Sequence, residues 1–126
     1  MLSQETIELF GEPISVYSRK QAIDDGVLVD LTEWGSATSG FIGGFQVPVA
    51  CTRAVWETID RKRMPALESA RGRAHDVLWM ASLALRGALA RNTDRTLFRV
   101  IMTRRYHTFM VALDGDGVTI MEPGES

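Results

Sequence analysis

The sequence predicts an α+β fold, in which a three-stranded antiparallel C-terminal meander packs on a long central helix. From Val77 to Ala90 nearly every position is apolar, which is typical of a helix buried on most sides. The C-terminal third instead has runs rich in branched and aromatic residues at 97–102, 107–113 and 118–121, as strands do. Helices and strands in separate blocks of sequence indicate an α+β domain rather than alternating βαβ units.

Shorter elements are predicted before the long helix. Ser18 and Gln21 have the spacing of a capping box, which predicts a helix over 19–25 that stops at Gly26. Residues 27–30 follow either as an additional strand or as another extended core segment, because so short an apolar run does not distinguish the two.

Thr52 is a good N-cap and predicts a second helix, from 53 to about 61. The long helix is expected to begin between Pro65 and Ala74 and to end near 91–92.

Two turns are predicted between the C-terminal strands. Residues 104–106 are expected to connect the first strand to the second, and 114–117, with the sequence Asp-Gly-Asp-Gly, to connect the second to the third.

The length of 126 residues predicts a single domain over the whole chain. We expect residues 1–13 to form a disordered tail and the Gly/Ser-rich stretch 35–44 a mobile loop. The first residues have no basic start or apolar stretch of a signal peptide, and the apolar run 77–85 is too short to span a bilayer. With one cysteine, these features favour a cytoplasmic protein that does not bind membranes.

The net charge of −2 conceals an uneven distribution along the chain. Residues 1–50 have a net charge of −5, residues 51–110 of +7 and residues 111–126 of −4. We favour the interpretation that the acidic ends neutralise the basic middle, because dedicated nucleic-acid-binding proteins are usually basic overall.

No set of residues predicts a cofactor or a metal. Cys51 is expected to be a small buried core residue rather than a nucleophile. His75 and His107 are far apart and lack the spacing of a zinc site. The glycines at 40–44 lack the lysine of a phosphate loop, and 114–117 lacks the glutamate of a calcium loop.

Four blocks follow one another in a specific order: YSRKQAIDDGVLVD (17–30), PVACTRAVW (48–56), DVLWM (76–80) and TIMEPGE (119–125). In that order they resemble a family of small proteins of unknown function, encoded on plasmids, phages and other mobile elements of bacteria. The resemblance covers roughly residues 14–125, and the stretch 35–44 departs from the family's pattern. It implies an accessory protein of a mobile genetic element, and it implies no activity, cofactor or catalytic residue.

Three functions remain open on this sequence. The leading hypothesis is a non-enzymatic accessory protein that binds a host, plasmid or phage protein, either as a monomer or as a homodimer. Aromatic residues and arginine dominate protein interfaces. The predicted anchors are Tyr17, Trp34, Phe41, Arg104, Arg105 and Tyr106.

The first alternative is a regulator that binds nucleic acid through the basic segment 53–107. Its contact residues would be Arg61, Lys62, Arg63, Arg104, Arg105 and Tyr106. The second alternative is a small enzyme in which paired carboxylates perform acid–base work. Its acidic cluster would comprise Tyr17, Asp24, Asp25, Asp30 and Glu33.

Overall fold

The computed structural model describes residues 18–32, 47–60 and 69–125. The predicted tail at 1–13 and the Gly/Ser-rich loop at 35–44 lie outside these residues. The described helices and strands are, in chain order, α1 (Arg19–Asp24), β1 (Leu28–Asp30), β2 (Val49–Thr52), α2 (Arg53–Ile59), α3 (Ala70–Ala90), β3 (Arg95–Met102), β4 (Arg105–Asp114) and β5 (Gly117–Met121).

The α+β class and the C-terminal meander are confirmed, but the sheet is larger and of mixed direction. Its strand order is β1-β2-β5-β4-β3, and the meander β3-β4-β5 is antiparallel throughout. Two N-terminal strands extend it: β1 pairs antiparallel with β2, and β2 pairs parallel with β5. The expected additional strand at 27–30 is therefore present as β1, joined to the meander through β2.

The caps that the sequence predicts form as expected. Ser18 accepts a hydrogen bond from the Gln21 amide at 3.0 Å, and the Gln21 side chain accepts one in return from the Ser18 amide. Gly26 ends this turn with a φ of +77°. Thr52 is both the last residue of β2 and the N-cap of α2, so the strand leads directly into the helix.

The core lies between one face of the sheet and the helices α2 and α3. Buried residues from β2, β3, β4 and β5 meet buried residues of both helices there. Side chains alternate between the two faces of a strand, so every second residue of β3 points into this core. The largest fully buried side chains include Phe109, Leu31, Ile59, Leu78, Met102 and Ile120.

On the opposite face of the sheet, a side chain of α1 reaches the central strand β5. Arg19 in α1 donates hydrogen bonds to the Thr119 hydroxyl, at 2.9 Å, and to the Val118 carbonyl. Thr119 lies on the face opposite to Val118 and Ile120 because strand residues alternate. One arginine thus holds α1 against β5, on the side of the sheet away from α3.

The prediction that the long helix is covered on most sides is wrong along one strip. Ser69 caps α3, within the predicted range for its start, and the helix ends at Ala90. Met80 and Leu83 are nevertheless exposed, and so is Leu89 farther round the helix. Apolar residues occupy most positions from 77 to 90, so the sequence does not show which side is left open.

No helix among the described residues is long and apolar enough to cross a membrane.

Candidate binding site at an open sheet edge

Strand β3 forms one edge of the sheet, and β4 is its neighbour on the inner side. The Leu113 amide donates to the Asp94 carbonyl at 2.8 Å, so the backbone of Asp94 faces β4. The register with β4 then runs without a bulge to Met102. Because backbone groups alternate in direction along a strand, Leu97, Arg99 and Ile101 direct their N–H and C=O groups away from β4.

The same alternation governs the side chains of β3. Phe98, Val100 and Met102 are buried in the core. Leu97 and Ile101 lie on the other face with 53% and 55% of their surface exposed. An eight-residue edge strand with two exposed branched aliphatic side chains is a surface on which another chain can pair.

A groove runs between this edge and helix α3. Its volume is about 290 Å³. The helix and the strands contribute both apolar and charged residues to its walls. The lining residues are Asp76, Trp79 and Met80 from α3, Arg99, Val100 and Ile101 from β3, and Tyr106 from β4.

Tyr106 and Arg99 form one flank of the groove. The Arg99 guanidinium carbon lies 4.8 Å from the centre of the Tyr106 ring, a cation–π contact between neighbouring strands. Tyr106 is 65% exposed in spite of this contact. On the other flank Met80 is followed one turn later by Leu83, which continues the apolar strip along α3.

The predicted connection at 104–106 begins one residue and ends two residues too late. The turn consists of Thr103 and Arg104, whereas Arg105 and Tyr106 are already in strand β4. The register pairs Met102 with Arg105, which leaves a two-residue hairpin loop. Loops of this length favour glycine and asparagine, and neither turn residue is one of these.

Both turn residues have left-handed backbone conformations. The φ angles are +52° at Thr103 and +60° at Arg104, a region that costs ordinary residues about 1–2 kcal/mol each. Arg73 of α3 is only 2% exposed, and its guanidinium donates to the Thr103 hydroxyl and, at 3.1 Å, to the Thr58 carbonyl. A buried charge therefore connects the strained turn to α2 and α3, and the turn's position relative to the groove is fixed.

The structure brings together only part of the predicted anchors. Arg104, Arg105 and Tyr106 are all exposed at the hairpin beside the groove. The remaining predicted contact residues lie outside the described residues: Tyr17, Trp34, Phe41, Arg61, Lys62 and Arg63.

The acidic cluster gives no catalytic geometry among the described residues. Asp24 and Asp25 are exposed at the end of α1. Asp30 accepts hydrogen bonds from the Thr32 amide and hydroxyl at 2.9 and 2.6 Å, a local turn at the end of β1. The other two members, Tyr17 and Glu33, lie outside the described residues.

Cys51 lies in the core, and each of the two histidines contacts a neighbour on its own element. Cys51 is fully buried, as expected, and desolvation raises the pKa of its thiol to about 12. His75 lies 3.5 Å from Asp76 on α3, and His107 stacks against Phe109 in β4. Within the described parts of the chain, no group of three or more histidine, cysteine or acidic residues could hold a metal ion.

The Glu125 carboxylate stabilises the C-terminal turn through two hydrogen bonds. Glu125 accepts hydrogen bonds from the Thr52 hydroxyl at 2.8 Å and from the Glu122 amide at 2.7 Å. Burial and the nearby Glu125 charge raise the pKa of the Glu122 carboxyl, against a smaller opposite effect of His107. These contacts attach the end of the chain to β2.

Sequence reasoning missed most of the groove. Leu97 and Ile101 belong to a run in which odd-numbered and even-numbered positions both carry apolar residues. The alternation of side chains therefore does not distinguish the exposed face of the strand from the face in the core. Met80 and Asp76 lie in the long helix, where only the direction of packing shows which positions are open. The sequence does contain one signal for the exposed face of β3. The arginines at 95 and 99 indicate that the odd-numbered side chains of this strand face solvent.

Comparison with known proteins gives one match. The model of a family described as a family of unknown function (DUF6573) matches residues 9–126. No curated protein and no solved structure matches the chain.

Proposed function

Because the chain belongs to a family of unknown function, DUF6573, we propose its function from its own surface: it is a non-enzymatic binding protein that recognises a partner protein. The single observation that supports this proposal is the edge of β3, which pairs with no further strand among the described residues and lies beside an apolar groove. The exposed side chains Leu97, Ile101 and Tyr106 are concentrated there.

The groove has the composition of a protein-binding surface. Buried aromatic and arginine side chains supply most of the binding energy at interfaces, and exposed apolar residues provide the surrounding contact. Trp79, Tyr106 and Arg99 meet in one groove with Met80 and Ile101. The rigid hairpin turn adds Arg104 and Arg105 at one end.

We further propose that this binding serves an accessory role for a mobile genetic element, with a host, plasmid or phage protein as the partner. The support is the resemblance of the four sequence blocks to proteins of such elements.

Cross-linking in cells of the encoding organism tests the proposal. The test variant is Ile101→Glu, which places a negative charge in the groove. The control is Leu89→Glu, because Leu89 is 46% exposed on α3 and points away from the groove, about half a turn from Met80. We expect at least one protein to cross-link to the wild type and to Leu89→Glu, and to be lost with Ile101→Glu.

The same protein partners for all three forms would contradict the proposal. Cross-links to DNA or RNA that disappear when Arg104 and Arg105 are replaced by glutamate would support the nucleic-acid alternative instead.

A further inference from the structure

We propose that the β3 edge takes up an extended segment of the partner protein as an additional strand, and that this segment alternates acidic and apolar residues. The inference rests on the proposed function and specifies the chemistry of the partner. Its argument uses three features of the described residues: the outward-facing backbone groups, the groove beside them and the charges around them.

The backbone groups make the edge suitable for strand addition. Leu97, Arg99 and Ile101 direct their N–H and C=O groups outward, and no described strand pairs with them. An extended peptide that joins a sheet edge gains affinity from such main-chain hydrogen bonds, and it gains specificity from pockets for alternate side chains.

The groove selects apolar side chains on one side of the added strand. A segment beside β3 would place every second side chain towards α3, against Trp79, Met80 and Val100. Asp76 stands in the same groove and would repel a carboxylate there.

The arginines select acidic side chains on the other side. Arg95 and Arg99 project from the exposed face of β3, on the side of the sheet away from α3. Side chains directly across two strands interact most strongly, so carboxylates on the added strand would pair with these guanidinium groups.

The same charges disfavour a second copy of this chain as the occupant. Antiparallel pairing of β3 with itself would bring Arg95 and Arg99 of both copies onto one face of a continuous sheet. Charged side chains on an edge strand are a known way in which proteins prevent such self-pairing.

Fluorescence anisotropy with a short labelled peptide tests the inference. In the probe, glutamate and valine alternate; in the control peptide, lysine replaces glutamate. We expect the acidic probe to bind, with affinity falling as salt is added, and the basic peptide not to bind. Equal binding of both peptides, or binding of neither, would overturn the inference.

Two variants of Arg99 distinguish the contribution of its backbone hydrogen bond to probe binding from that of its guanidinium charge. Arg99→Ala removes the guanidinium and should weaken probe binding about threefold. Arg99→Pro also removes the outward N–H, which β4 does not use, and should weaken binding about fivefold more. Circular dichroism checks that both variants are folded. Equal affinity of the two folded variants would overturn strand addition.

A second experiment uses the wild-type protein and modifies the backbone of the probe peptide instead. Two further probes carry N-methyl groups on the backbone nitrogens of all valines or of all glutamates. These nitrogens lie on opposite edges of an extended peptide. We expect one methylated probe to lose binding and the other to keep it; equal behaviour of the two would overturn the inference.

Two outcomes identify other occupants of the edge. The first outcome is a wild-type protein that is a dimer without the probe, together with an Arg99→Pro variant that is a monomer. This result would show that a second copy of the chain occupies the edge, and it would overturn the inference. If the acidic probe fails but Ile101→Glu still abolishes cross-linking to a cellular partner, strand addition by an acidic segment fails while the proposed function stands.

Discussion

Burial controls the chemistry of the single cysteine. Cys51 is fully inaccessible between apolar neighbours in β2, and the nearby Arg53 charge only partly offsets the desolvation of its thiolate. The sequence placed this residue correctly in the core because its apolar surroundings are visible in the chain. A thiol in such a position is a packing group and not a nucleophile.

We predict that Cys51 reacts with thiol reagents only when the protein unfolds. With a pKa near 12, its thiolate fraction at pH 8 is far below that of an ordinary cysteine. Because the folded-state pKa is raised, the stability associated with the protonated thiol is retained below the ordinary pKa of 9.0 and is lost as pH rises above it. Labelling rates in native buffer and in denaturant, measured from pH 7 to pH 10, check this. Fast labelling at pH 8 under native conditions would contradict it.

Gly117 is required by a close approach between two segments. Its φ is +125°, and a Cβ atom there would overlap the carbonyl oxygen of Pro48. That oxygen also accepts the Val118 amide at 2.8 Å, so it cannot move away without losing a hydrogen bond. The contact lies where β5 begins and joins the segment before β2 to the meander.

We predict that Gly117→Ala lowers the free energy of unfolding by about 2 kcal/mol or more, because strain and overlap add. Gly115→Ala is the matched control, since Gly115 lies in the same turn and a Cβ there meets nothing within 4 Å. Urea denaturation of both variants gives the comparison. A loss of stability as large for Gly115→Ala as for Gly117→Ala would show that the turn, and not the contact with Pro48, is responsible.

At the scale of elements, the caps and the periodic segments are the parts that the sequence predicts best. Ser18, Thr52 and the long apolar run each act through local contacts, so their structure is visible in neighbouring residues. The pairing of β2 with β5 was not predicted, because two short segments far apart in the chain meet there. The open edge was missed for a related reason: exposure depends on which element lies outside, and the sequence pattern does not contain that information.

The β3–β4 hairpin combines a strained turn with a buried support. Thr103 and Arg104 occupy left-handed conformations that glycine or asparagine adopts more easily. Arg73 holds the turn from the core side. Strain that is maintained by surrounding structure is common at binding sites.

We predict that Arg104→Gly raises the free energy of unfolding by about 1 kcal/mol, because glycine adopts this φ without a steric cost. The same variant should bind the acidic probe more weakly, since a cation at the groove's end is removed. Arg105→Gly is the control, because Arg105 lies in strand β4, where glycine weakens the strand. Thermal unfolding and probe anisotropy measure the two effects. An unchanged or lower stability of Arg104→Gly would mean that the turn is not strained.

At the scale of the whole molecule, the sheet is covered unevenly. Helices α2 and α3 cover one face, the Arg19 side chain of α1 reaches the centre of the other, and the β3 edge stays open among the described residues. The uneven charge along the sequence has a partial spatial counterpart, since Arg95, Arg99, Arg104 and Arg105 are all on one hairpin. That the acidic ends of the chain neutralise its basic middle stays a prediction from the sequence.

Amide hydrogen exchange by NMR tests the central claim, that the outer edge of β3 is free and binds a partner strand. The inner amides of Phe98 and Val100 should be protected by β4, whereas those of Leu97, Arg99 and Ile101 should exchange rapidly. Saturation with the acidic probe should slow the three outer amides by about tenfold or more. Outer amides that are protected without the probe, or that exchange equally fast at saturation, would contradict the account.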